Sequence, residues 1–343
     1  MNEDTLKATA AALTADGKGL LAMDESNPTA DKRFAALGIA QTPEMRRAYR
    51  DMIVTAPGLS ASIAGAILYD ETIRSRTFAD MPFAQALEKA GIVPGIKVDA
   101  GARPLALHGG ELVTEGLDGL RERLAEYAKM GARFAKWRAV ITIADATNAP
   151  SRGCIEANAQ ALARYAALCQ EAGIVPIVEP EVLMDGAHTL ARCAEVTERA
   201  LYFVFDALRT QRVLLEGMIL KPNMVVPGLQ CPAQDGVADV ADATVRTFRR
   251  AVPAAVGGIA FLSGGQSARD ASARLNAMHV RHAAGLPWPL AFSFARAIQD
   301  PAMKAWAGQK ENVGAAQKAL VERARLNRLA RRGDYTVAME TPH

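Results

Sequence analysis

Lys221 closes the apolar run Met218–Leu220 and is followed at once by a proline, in the string MILKPNM. If that run is a central strand, its ammonium is poorly placed to snorkel outward to bulk water. Burial disfavours the charged form and a second lysine nearby disfavours it further, which are the conditions for an amine that attacks a carbonyl. A buried lysine paired with a carboxylate for structural reasons would look the same in isolation, so its company decides. Lys136, in FAKWR, can supply the second positive charge and polarise a substrate oxygen. Glu179 and Glu181, in VEPE, are two apart, so a regular strand turns both to one side, where they repel unless cations lie between them. Lys221 and Lys136 meet that need, leaving one carboxylate to shuttle protons and the other to hold the lysine in place. Asp24, in LLAMDES, also follows an apolar run. Its ordinary role there would be a helix N-cap, and its chemical role would be to orient a carbon chain and assist proton transfer at a hydroxyl.

Two further groups suit anions. In FLSGGQS, Ser263 precedes Gly264 and Gly265 just before a helical segment. Small residues let backbone N–H groups approach a phosphate, and a helix N-terminus adds a favourable field. Arg296, in FSFARAI, would complete that site with a bidentate contact. Lys97, Ser26 and Arg33 form the second group, with a helix-surface position as the plain alternative for Arg33. Two anion sites flanking a nucleophilic lysine imply a substrate phosphorylated at both ends. Metal chemistry is not expected: of His108, His188, His279, His282 and His343, only the pair at 279 and 282 has a helical spacing that could share a ligand. GxSxG and GxGxxG are both absent, which argues against a serine hydrolase and a dinucleotide fold.

These side chains must be carried by elements that bring them to one place. Eight β-prone runs, each followed by a helical stretch, occur at 19–24, 62–69, 94–99, 133–138, 174–180, 216–222, 258–263 and 290–294. Several are apolar without strict alternation, as in parallel strands with helices outside and side chains filling the interior. The charged residues stand near the C-terminal ends of these runs, which in a barrel is the catalytic rim, and phosphate commonly binds after strands seven and eight. Amphipathic segments at 118–130, 156–172, 187–213 and 267–280 supply helices, with Asp118 as expected N-cap and Gly131 as stop for the first. The expected fold class is α/β, a (β/α)8 barrel with an extra N-terminal helix over 3–15 and a C-terminal helical tail. Residues 1–343 read as one barrel domain, of which about 309–343 is the helix and loose tail.

Half of the 343 residues are hydrophobic and the net charge is only +3, so a nucleic-acid footprint is not expected. Arg323, Arg325, Arg328, Arg331 and Arg332 read as a solvated helix face. Every long apolar stretch is broken by charge or proline and the N-terminus has no signal-like core, so no membrane span is expected and a cytoplasmic location is. Cys154, Cys169, Cys193 and Cys231 lack CxxC spacing and read as reduced, mostly buried thiols.

The strings KGLLAMDES (18–26), GIKVDAG (95–101), FAKWR (134–138), GIVPIVEPE (173–181), LEGMILKPNMVVPG (215–228), FLSGGQS (261–267) and KAWAGQKENVGAAQ (304–317) together resemble class I fructose-1,6-bisphosphate aldolases of the animal and plant type. The resemblance runs in order from about residue 6 to 335. It implies Lys221 as the Schiff-base former, Glu179 as main proton shuttle with Glu181 as partner, and Asp24 and Lys136 as catalytic. One phosphate then falls on Ser263, Gly264, Gly265 and Arg296, and the other on Lys97, Ser26 and Arg33. It also implies metal-independent cleavage of fructose 1,6-bisphosphate in glycolysis and gluconeogenesis, no cofactor, and a homotetramer. The chain departs from the pattern in three places. It ends Thr341–Pro342–His343 where vertebrate members end in a tyrosine that assists proton exchange, it has Ala295 before the arginine where the family has glycine, and it reads Asn27–Pro28–Thr29 after DES.

Overall fold

The computed structural model describes residues 2–15, 17–144 and 147–340. Its strands are β1 (Gly19–Ala22), β2 (Ile63–Leu68), β3 (Val93–Lys97), β4 (Gly101–Pro104), β5 (Leu112–Glu115), β6 (Phe134–Ile141), β7 (Val175–Val182), β8 (Ile219–Leu220), β9 (Ile259–Phe261) and β10 (Leu290–Phe294). All except β4 and β5 close into a barrel of parallel neighbours in the order β1-β10-β9-β8-β7-β6-β3-β2. Each of the eight expected runs therefore carries one barrel strand. The run at 216–222 shrinks to the two residues of β8, because Leu215–Gly217 is taken by a 3-10 turn and Pro222 has no N–H to extend a ladder. The antiparallel ribbon β4–β5 was not expected; its strands are short, and β4 is largely exposed and ends in proline.

Strand alternation sorts the side chains into two cores. Leu20, Ala22, Ile67, Phe134, Val175, Ile177, Ile219, Ala260 and Ala291 fill the barrel, and Leu6, Ala10 and Leu13 of the N-terminal helix Glu3–Leu13 pack onto them as a plug. Phe134 is admitted because its neighbours carry no side chain: a Cβ on Gly95 would lie 2.2 Å from its ring and one on Gly65 3.0 Å. The alternate residues of the same strands, such as Trp137, Phe261, Phe292 and Phe294, face the surrounding helices, where Trp137 meets Tyr165 with ring centroids 5.5 Å apart.

Two local expectations are corrected. The helix Leu120–Lys129 is capped by Gly119 in the left-handed region (φ 65) rather than by Asp118, a conformation glycine adopts without the Cβ penalty. The C-terminal arginines are not all a solvated face: Arg323 and Arg331, on the helix Val313–Arg332, are buried and bound to backbone and side-chain acceptors. Arg331 donates to the carbonyls of Thr14, Lys18 and Leu290, fastening the tail helix across the bottom of the barrel. Arg323 grips the Glu340 carboxylate and the Ser272 hydroxyl. Arg325, by contrast, is exposed beside Glu322. The four cysteines are free and buried. Among the described residues, no helix is long and apolar enough to cross a membrane.

The Arg331 clamp carries a pH dependence. His279 also bonds the Leu290 carbonyl, at 3.2 Å, and burial together with the Arg331 charge holds its pKa down to about 4 from 6.5. In the unfolded chain this histidine takes a proton near its ordinary pKa, so acid favours unfolding once the pH falls below that value. Its contribution is complete above pH 6.5 and is lost as the pH falls toward 4, by about 3 kcal/mol in all. His279→Gln should flatten that part of the stability curve, read as urea midpoints at neutral and mildly acid pH. An identical acid-side decline in the variant would dismiss the histidine as its source.

Candidate active site

The charged residues gather at the level where β1, β3 and β8 end, part-way along the longer β6 and β7. Lys136 pairs in register with Lys97 across β3–β6 and with Ile177 across β6–β7, while Leu220 of β8 pairs with Val178. Lys221 therefore leaves β8 level with Glu179, its N–H still donating to the Val178 carbonyl at 2.8 Å. Its Nζ lies 3.0 Å from Glu179 Oε1, and Lys136 Nζ lies 3.3 Å from Glu179 Oε2 and 2.8 Å from Asp24 Oδ2. The result is one row of alternating charge, Asp24–Lys136–Glu179–Lys221, with every member buried.

Burial alone would raise the Asp24 pKa and lower that of Lys136. For Asp24 the charges of Lys136 and Lys221 prevail and bring it down to about 2. For Lys136, Asp24 and Glu179 prevail in the same way and hold it well above the ordinary lysine range. This pair is thus a fixed ammonium and a fixed carboxylate. The N-cap alternative for Asp24 is not what the fold uses, since the N-cap position of the following helix, Asn27–Ala35, is taken by Ser26.

The two glutamates were expected to share the two lysines, and only Glu179 touches them. Glu181 is two residues further along β7, about 6.6 Å toward the rim, and its carboxylate is bound by Arg138 of β6. Lys97 is held by the Asp99 carboxylate at 2.7 Å, and Asp99 also accepts from the backbone of Arg138 at 3.2 Å.

The glycine pair stands over this row. Gly264 and Gly265 both have positive φ, 60 and 95. A Cβ on Gly264 would lie 3.9 Å from Glu181 Oε1, and one on Gly265 would lie 3.3 Å from Arg296 Nη2. The loop after β9, the arginine after β10 and the end of β7 are therefore one neighbourhood, with Ser263 buried at its base. Among the described residues Arg296 has no carboxylate within ion-pair distance, as suits a group awaiting an anion. The loop opens outward into a cleft of about 660 Å³ lined by Gly265, Gln266, Ser267, Arg296, Asp300 and Lys304.

Ser26 and Arg33 sit apart from the lysine row, on the helix that follows β1. The Ser26 hydroxyl shares a 3.0 Å hydrogen bond with that of Thr29. Arg33 is bound by Glu25 and, at 2.8 Å, by Asp300 of the helix that begins at Arg296. Tyr335 is buried and donates to Glu340 at 2.7 Å. The terminal Thr341, Pro342 and His343 lie outside the described residues.

Several residues of this site were not singled out for a role by sequence reasoning. Arg138 and Asp99 are charged residues close behind Lys136 and Lys97, and their role is to hold Glu181 and Lys97. Asn223 gave a signal in KPN: its Oδ1 accepts from Val182 N–H at 3.0 Å, supporting the end of β7 where β8 has already stopped. Ser293 gave one too, as a small polar residue between the aromatics of FSF. Ala291, two residues earlier on the same face of β10, lies inside the barrel, and the Ser293 hydroxyl is buried without a hydrogen-bond partner among the described residues.

Comparison with known proteins agrees with this architecture. Residues 5–343 match the family model described as fructose-bisphosphate aldolase class-I. A probable fructose-bisphosphate aldolase class 1 of Xanthomonas axonopodis pv. citri is 54% identical over 336 residues, covering 98% of this chain and 99% of the relative. Fructose-bisphosphate aldolase B of Gallus gallus is 49% identical over 330 residues, covering 96% and 90%. The solved structure of fructose-bisphosphate aldolase from Plasmodium falciparum, in complex with TRAP and a small-molecule inhibitor, superposes with a TM-score of 0.95 at 46% identity, covering 97% of this chain and 95% of that one. The chain belongs to the class I fructose-bisphosphate aldolase family, and it is a carbon–carbon lyase built on a (β/α)8 barrel.

Proposed function

We propose that this chain reversibly cleaves fructose 1,6-bisphosphate to dihydroxyacetone phosphate and glyceraldehyde 3-phosphate through an imine on Lys221. The observation that carries this reading is the 3.0 Å contact between Lys221 Nζ and Glu179 Oε1 at the buried end of a charge-alternating row. Glu179 takes the proton that frees the amine, and Lys221 adds to the substrate ketone. The carbinolamine hydroxyl then leaves as water with a proton returned by Glu179. Loss of the C4 hydroxyl proton breaks the C3–C4 bond. Its electron pair passes to the iminium, which becomes an enamine, and glyceraldehyde 3-phosphate departs. Protonation at C3 and hydrolysis of the imine release dihydroxyacetone phosphate. Asp24, held anionic at a pKa of about 2, orients the C4 hydroxyl better than it removes its proton, so that proton goes to Glu179. Lys136 balances the charge that moves between the two acids.

Ser263, Gly264, Gly265 and Arg296 receive one phosphate, and Lys97, Ser26 and Arg33 serve the other. The substrate is thus a sugar phosphorylated at both ends, and no metal or cofactor takes part. A cytoplasmic homotetramer acting in glycolysis and gluconeogenesis is the setting the family resemblance suggests. Borohydride added with fructose 1,6-bisphosphate should attach ketose mass irreversibly to the Lys221 peptide, read by mass spectrometry. An active preparation whose Lys221 stays unmodified would overturn the assignment.

A further inference from the structure

Arg33 is held by two carboxylates that are not equally secure. Glu25 is only slightly exposed, its side chain 10% accessible, and it also binds Arg50 at 2.9 Å and the Gln299 amide at 3.0 Å. Gln299 is fixed in turn by Tyr49 and by the Ala22 carbonyl. Asp300 is 46% exposed, and among the described residues its one ion pair is the contact with Arg33 Nη2 at 2.8 Å. Glu25 therefore cannot leave Arg33 without breaking a buried network, whereas Asp300 can rotate into water and be solvated there.

Asp300 is also well placed to compete with a substrate. It stands four residues after Arg296 on the helix Arg296–Trp306, so the two side chains share a face, and both line the cleft beside Gly265. We propose that Asp300 is an internal competitor for phosphate: it occupies one arm of Arg33 in the free protein and must be displaced before Arg33 can engage a substrate phosphate. This deepens the reading above and rests on it, since it takes Arg33 to be a phosphate ligand. A phosphate offers more charge and more acceptor oxygens to a guanidinium than one half-solvated carboxylate does, so it wins the exchange. The affinity seen from outside is lowered by the cost of that exchange, in the manner of a binding-competent state that is only partly populated. Asp300 thus sets substrate affinity without touching the reacting carbons.

Asp300→Asn removes the competing charge and keeps the side-chain shape. The KM for fructose 1,6-bisphosphate and the inhibition constant of inorganic phosphate should both fall about three- to tenfold, where tenfold corresponds to about 1.4 kcal/mol, and the change should lie in KM rather than kcat. In an Arg33→Ala background the same substitution should leave both constants where Arg33→Ala put them, because the competition no longer exists. Asp300→Ser, shorter and equally uncharged, should reproduce the effect and serves if the asparagine variant folds poorly. Unchanged or raised constants in the folded variants, or an equal effect without Arg33, would overturn the competition. Failure of the unmodified protein to cleave fructose 1,6-bisphosphate would instead count against the aldol reading, so the two failures are distinguishable.

Discussion

Lys221→Met is expected to bring cleavage of fructose 1,6-bisphosphate down to background, a loss on the order of 10⁶-fold, the low end of enzymic acceleration over uncatalysed chemistry. Methionine keeps an unbranched, flexible side chain of similar length, so the end of β8 can stay packed. Glu179 is not stranded, because Lys136 remains 3.3 Å from its other oxygen. The substitution therefore removes the nucleophile and leaves the acid, the second lysine, and the loops after β9 and β10 in place. Binding of inorganic phosphate should survive, since none of the groups assigned to phosphate touches Lys221, and no borohydride adduct should form. Steady-state cleavage, phosphate binding and mass spectrometry on one preparation separate these effects. A folded variant that retained a sizeable part of the turnover would remove Lys221 from the chemistry and with it the imine mechanism.

Much of this site was legible before any fold was known, because strand alternation and chain order carry it. Residues two apart on a strand share a face, which placed Glu179 with Glu181, and the apolar run before Lys221 placed its ammonium inside. What alternation cannot supply is the stagger between strands. Whether Lys221 meets Glu179 or Glu181 depends on the pairing of Ile219 with Ile177 and Leu220 with Val178, and β8 is only two residues long. A short strand between long ones has little pattern from which to read its register. Contacts made outside the barrel were less legible still. Arg33 and Asp300 stand 267 positions apart on two different helices, and no local periodicity couples them. Arg323 and Arg331 were read as solvated for a related reason: a basic helix end looks the same whether its side chains reach water or the carbonyls of another segment.

The same stagger makes the two glutamates unequal, and that inequality can be measured. Glu179→Gln keeps the shape but withdraws the carboxylate that lies between Lys221 and Lys136. Losing the group that exchanges protons with the amine and with the leaving water should cost about 10²- to 10⁴-fold in kcat. It should also cost stability, about 3 kcal/mol or more, because removing one partner of a buried pair leaves the other charge uncompensated. Lys136 retains Asp24 at 2.8 Å, so that loss falls on Lys221. The amine itself is still present, and slow borohydride trapping at Lys221 should persist, which sets this variant apart from Lys221→Met. Glu181→Gln should lower kcat less, since Glu181 is bound to Arg138 and stands about 6.6 Å further toward the rim. The pair of variants, compared by kcat and by trapping rate after their folding has been checked by thermal melting, tests the order directly. Should Glu181→Gln prove the more damaging of the two, proton transfer would have to be reassigned to the outer acid and the 3.0 Å contact at Lys221 read as structural.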